Sequence, residues 1–144
     1  MKIDLDYYQK ILEVFVESEY AVIELGEVIE AVGCFDEKFL YHYMRLAENG
    51  LVSSSEMTSG TLGDVGLIQD CGDFFPVRSK LIRLTQAGDD FANSLNNKEV
   101  LEKLKAEFKD APFKAIFDGG QKILHHIIKK KVDTLLQDSG ETNS

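Results

Sequence analysis

The sequence contains no apolar run near the roughly 18–20 residues a membrane-crossing helix needs, so a membrane-spanning reading is excluded. Its start, Met1-Lys2-Ile3-Asp4-Leu5-Asp6, is acidic and lacks the apolar core of a secretory signal, so a cytoplasmic location is expected. Cysteine is scarce: Cys34 and Cys71 stand alone, without C-x-x-C spacing. In a reducing compartment they are expected to be free, partly buried thiols. Positive charge is scarce in the first half, where residues 1–52 carry 4 Lys/Arg against 11 Asp/Glu. Residues 53–97 carry 3 against 6, and residues 98–144 carry 9 against 8. Affinity for nucleic acid is dominated by phosphate neutralisation, so this balance argues against strong non-specific DNA binding. No internal repeat is visible.

Catalytic constellations are missing as well. His125 and His126 are adjacent on a helical stretch, so their rings diverge by about 100° and do not share a metal as an i, i+4 pair does. His42 lies beside the apolar face of its helix and reads as a packed histidine donating to backbone, not as a general base. Ser53-Ser54-Ser55 has no G-x-S-x-G elbow around it. The glycine-rich stretch Thr58–Gly66 lacks the G-K-[ST] ending of a phosphate loop. Asp4/Asp6 and Glu24/Glu27/Glu30 read as caps and a solvated helix face. No enzyme, metal site or cofactor is expected.

What the 144 residues do contain is 44% hydrophobic and 28% charged side chains in clear periodic order, enough for a globular domain with a real core. Asp4 caps a helix over 4–18, with Leu5, Tyr8, Ile11, Leu12 and Phe15 on one face. Residues 20–23 are β-prone. A short helix spans 25–32 and ends at Gly33. Asp36 caps a third helix, which Asn49-Gly50 stops near Glu48. Leu51–Met57 reads as a strand, Val65–Ile68 as a short middle strand, and Phe74–Leu84 as a returning strand with Pro76 at its edge-like start. Thr85 caps a fourth helix over 86–95, with Phe91 and Leu95 inward. The pattern predicts a mostly α chain with a small antiparallel β wing (α+β): a winged helix-turn-helix over 1–95. A helical extension follows over 96–137, then a disordered tail over 138–144. Within the extension, helices are expected over Glu99–Phe108 and from Pro112 onward. Gly119-Gly120 would mark a kink or a close helix crossing there.

Several segments together resemble an uncharacterised winged-helix family carried by bacteriophages, prophages and other mobile elements. They are Met1-Lys2-x-Asp4-Leu5-Asp6 with Lys10-Ile11-Leu12; Tyr41-His42-x-x-x-Leu46-Ala47-Glu48-x-Gly50-Leu51-Val52; Arg83-Leu84-Thr85-x-x-Gly88-x-x-Phe91; and a Pro112-Phe113 helix. The resemblance covers about residues 1–132. It implies the fold and a phage or mobile-element origin, and no particular activity. The long loop 56–73 and the acidic N-terminal half depart from the pattern.

In a winged helix the third helix is the one that can enter a DNA groove. At about 100° per residue, Phe39, Tyr43 and Leu46 face the core, and Glu37, Lys38, Tyr41, Met44, Arg45 and Glu48 face outward. That outward face is electrically balanced. Groove reading gains from Arg, Lys, Asn or Gln, whereas Tyr, Met and Arg are enriched in protein interfaces. Arg78 and Lys80 would share one face of the returning strand. The favoured reading is a non-catalytic binder of a macromolecular partner, preferably a protein, through Lys38, Tyr41, Met44, Arg45, Arg78 and Lys80. The competing reading is a dimeric sequence-specific DNA-binding regulator with Arg45 and Lys38 in the groove. Each of these charges also fits an ordinary solvated side chain. Lys129-Lys130-Lys131 is the one dense basic patch. The long apolar stripe Ile116, Ile123, Leu124, Ile127 and Ile128 is a candidate face for pairing two chains.

Overall fold

A computed structural model of the chain describes residues 1–142, with side-chain exposure for 1–138. The chain is mostly helical, with small antiparallel sheets, and divides into two compact units, Met1–Asn93 and Ser94–Ser144. Of the tail expected over 138–144, residues 138–142 continue the last helix, and 143 and 144 lie outside the described residues.

In the first unit, α1 spans Leu5–Glu17. The Asp4 carboxylate accepts the Tyr7 N–H at 3.2 Å, filling one of the free donors of the first turn. Strand β1, Ile23–Glu24, runs directly into α2, Leu25–Val32, whose start is closed by a reciprocal capping box between Glu24 and Glu27. The next two α2 donors are met from outside: Leu25 N–H donates to the Lys80 carbonyl at 2.9 Å and Gly26 N–H to that of Arg78 at 2.8 Å. Gly33, at φ 112°, ends α2 in a conformation that a side chain disfavours. Asp36 caps α3, Glu37–Glu48, by accepting from Phe39 N–H at 2.9 Å.

The β part differs from the sequence expectation. Strand β2 is short, Val52–Ser54, because the Ser54 N–H turns to the Thr58 carbonyl and its hydroxyl takes the Glu56 and Thr58 N–H groups. A 3₁₀ turn, Gly63–Val65, leads into β3, Leu67–Asp70, which pairs with β4, Asp73–Pro76, as a separate hairpin with Ile68 opposite Phe75. The run expected as one strand over 74–84 is broken. A turn closed by Lys80 N–H to the Val77 carbonyl at 3.0 Å separates β4 from β5, Leu81–Leu84. Strand β5 is central in a three-stranded antiparallel sheet ordered β1-β5-β2, with Ile82 level with Ile23 and Ser54.

Tyr8, Ile11, Leu12, Leu25, Ile29, Phe39, Tyr43, Leu46, Leu51, Ile82 and Phe91 are fully buried and form the core of this unit. Each such apolar side chain contributes roughly 1.5–3 kcal/mol against exposure. Tyr43 hydroxyl donates to the Val65 carbonyl at 2.6 Å, tying α3 to the 3₁₀ turn. Thr85 precedes α4, Gln86–Asn96. Its hydroxyl donates to the Gly50 carbonyl at 2.5 Å and accepts the Gly88 N–H at 3.2 Å.

In the second unit, Asn97 caps α5, Lys98–Glu107, and α6 spans Phe113–Thr142 directly after Pro112. Val100 and Leu104 on α5 and Phe113 and Ile116 on α6 are buried. The glycine pair marks the close helix crossing. A Cβ on Gly119 would stand 2.6 Å from the Phe108 ring, and one on Gly120 would lie 3.1 Å from the Ser94 hydroxyl. From Ile128 to Asp138 every α6 side chain is exposed. Among the described residues no helix is long and apolar enough to cross a membrane.

Candidate interaction surface

The outward face of α3 is built from the start of α1 and from α3 itself. Lys38 is not free: its Nζ lies 2.9 Å from Asp4 Oδ2 and 4.7 Å from the centroid of the Tyr7 ring. Burial raises the Asp4 carboxyl, but the Lys38 ammonium and the Tyr7 N–H outweigh it and leave the acid below its ordinary range. Two turns on, the Arg45 guanidinium stacks 4.5 Å over the Tyr41 ring, and its Nη1 is 3.5 Å from Glu48 Oε1. Tyr41 and Met44 are half-buried beside it. Lys38, Tyr41, Met44 and Arg45 therefore share one helix face, and both cations already stand beside a carboxylate.

Behind that face His42 is fully buried, with its ring 4.9 Å from those of Tyr7 and Tyr8 and 5.2 Å from Tyr41. Its Nδ1 is 2.8 Å from the Lys38 carbonyl, the packed, backbone-donating role its position suggests. The contact that pattern reading missed is on the other nitrogen, where Asp4 N–H donates to Nε2 at 2.9 Å. The two residues are 38 apart, and no local spacing signals such a bond.

Arg78 and Lys80 are not neighbours on one strand as expected. They belong to the turn between β4 and β5, not to one strand, so the alternation that would have placed them on a common face does not apply. Arg78 is exposed and lines an open cleft of about 750 Å³ with Glu24, Glu27, Glu30, Cys34 and Phe35, along α2. Lys80 is half-buried, its Cβ 3.0 Å from where a side chain on Gly66 would start. Both thiols are exposed, which corrects the partly buried expectation. Cys34 Sγ donates to Asp36 Oδ2 at 3.3 Å, and that carboxylate pushes the thiol up, away from the reactive thiolate.

Sequence reading also missed an apolar pair on the β3–β4 hairpin, where Ile68 and Phe75 face each other across the strands and are each half exposed. On α6, Ile116 is buried, while Ile123, Leu124 and Ile127 are half-buried. The exposed apolar stripe lies further along, at Ile128, Val132, Leu135 and Leu136. His125 and His126 are exposed. Among the described residues no group of three or more His, Cys, Asp or Glu is placed to hold a metal ion. Comparisons with family models, with curated proteins and with solved structures found no match.

Proposed function

We propose that the first unit is a winged helix-turn-helix used as a non-catalytic binding module, like the phage and mobile-element proteins its motifs resemble, and that its partner is a protein. In this reading α2 and α3 are the helix pair, and β2, β5 and the β3–β4 hairpin make the wing. The observation that carries the choice of partner is the state of the cations on α3. Lys38 is matched to Asp4 at 2.9 Å, and Arg45 is stacked on Tyr41 beside Glu48. A groove-reading helix needs such donors aimed at base edges. Here they are held among carboxylates, and what remains outward is aromatic ring, thioether and stacked guanidinium, the side-chain types that anchor protein interfaces. The half-exposed Ile68 and Phe75 on the hairpin add a second apolar element of the same kind. We further propose that the exposed stripe of α6 pairs two chains.

The test is a pull-down from a bacterial host lysate, with and without nuclease, comparing wild type with a Tyr41→Ala/Met44→Ala double variant. A specific protein that survives nuclease and is lost, by about tenfold or more in affinity, in the variant supports the reading. Retention that disappears with nuclease would transfer the function to DNA.

A further inference from the structure

We propose that His42 is an acid-sensitive latch that fastens the start of α1 to α3. The inference starts from hydrogen-bond geometry and is independent of which partner the surface binds. A backbone amide can only donate, so with Asp4 N–H 2.9 Å from Nε2, that nitrogen must be the unprotonated acceptor. The ring proton then sits on Nδ1, where it is donated to the Lys38 carbonyl at 2.8 Å. One neutral tautomer satisfies both ends, and no other form does. Protonation would set two N–H groups against each other at Asp4, on a ring that is itself fully buried.

The latch holds a chosen place. Asp4 caps α1, and its own N–H lies outside the helical ladder, so His42 is its partner. The groups that face the ring are, from α1, the Asp4 carboxylate and the Tyr7 and Tyr8 rings, and, from α3, Lys38, Tyr41 and Arg45. Asp4 is the one anion among them, and Lys38 already answers it at 2.9 Å, while Lys38 and Arg45 both oppose a second cation. Burial, the largest influence, keeps the imidazole below its ordinary value of 6.5. A histidine depressed in the folded state is neutral there while the opened chain takes up a proton. The latch is therefore closed above about pH 6.5 and loosens as pH falls. Loosening frees the Asp4 N–H and the first turn of α1, and with them the Asp4 partner of Lys38 on the outward face.

The experiment follows the His42 ring resonances of the full chain from pH 8 to 5, and in parallel the hydrogen exchange of the Asp4, Tyr7 and Tyr8 amides at pH 7.5 and 5.0, corrected for intrinsic rates. A His42→Gln variant is the control: its side-chain carbonyl reaches the Nε2 position, accepts from Asp4 N–H, and cannot be protonated. The expected result is a ring that titrates below 6.5 and corrected opening that rises severalfold at pH 5.0. The ceiling is about thirtyfold for an open-state value of 6.5. No such rise is expected in His42→Gln. Titration at or above 6.5 overturns the proposal. So does a rise that persists in His42→Gln, since His125 and His126 remain there. If His42→Gln does not fold, the two wild-type measurements decide on their own.

Discussion

A Cβ on Gly88 would overlap the carbonyl oxygen of Leu51, which already accepts the Thr85 N–H at 2.9 Å. Backbone cannot move aside as a flexible side chain can, so Gly88→Ala is expected to cost about 3 kcal/mol and to lower Tm by about 10 °C. Gly60→Ala, where nothing stands within 4 Å and φ is not positive, should leave Tm unchanged in the same scan. Equal shifts for the two would mean that α4 does not lie against the start of β2 as described. The Asp4–Lys38 pair is graded differently. Both side chains are more than a third exposed, so their attraction is screened and Lys38→Ala should cost less than about 1 kcal/mol. Asp4→Ala removes the α1 cap as well and should cost more, about 1–2 kcal/mol by urea denaturation. The ordering is the test: a Lys38 loss larger than the Asp4 loss would remove capping as the main role of Asp4. The acid dependence has a definite sign. The Asp4 carboxyl is depressed in the folded chain, so its contribution is present above its unfolded value of 3.8 and is lost as pH falls through the lower folded one.

The helices were legible because each carries its own punctuation. Asp4, Asp36 and Asn97 cap, Gly33 ends α2, and apolar residues recur at helical spacing. The strands were legible in place but not in extent. In Val77-Arg78-Ser79-Lys80 only Ser79 hints at a turn, without the Gly, Asn or Pro that signals one more strongly, so the pattern reads as continuous strand. That misreading is also why Arg78 and Lys80 were grouped. The outward residues of α3 followed from its period, but the pairing of Lys38 with Asp4 did not, because a contact across 34 residues leaves no local trace. The hairpin gives this scale its own prediction. Ile68 and Phe75 are half exposed and contribute little to the core. An Ile68→Thr/Phe75→Thr variant should therefore stay folded with Tm lowered by about 5 °C, since threonine suits a strand and only half of each side chain is buried. It should nevertheless weaken capture of the proposed protein partner. Full capture by that variant would confine the surface to α3.

The acidic excess and the exposed apolar stripe of α6 fall in different units, while Ile68 and Phe75 expose apolar surface in the acidic one. Acid predominates over residues 1–97, whereas residues 98–144 are close to neutral and end in the exposed stripe of α6. The first fact makes the salt dependence of any DNA binding informative. A module with its α3 cations already matched should show no retention of duplex by fluorescence anisotropy at 150 mM salt, and steeply salt-sensitive binding there would sink the protein-partner reading. The second fact sets the strength expected of chain pairing. Ile128, Val132, Leu135 and Leu136 are each about half to two-thirds exposed. Covering all four on each of two chains returns on the order of 10 kcal/mol at roughly 1.5–3 kcal/mol per fully buried side chain. Association itself costs about 4–15 kcal/mol. Pairing on this stripe should therefore be weak, in the micromolar range or above, and concentration dependent. Light scattering across a dilution series should show mass rising toward twice 16.2 kDa at high concentration. Ile128→Asp/Leu135→Asp should abolish the rise without lowering Tm, because neither side chain is part of the core. Wild type that stays at the single-chain mass through hundreds of micromolar would remove α6 as a pairing surface.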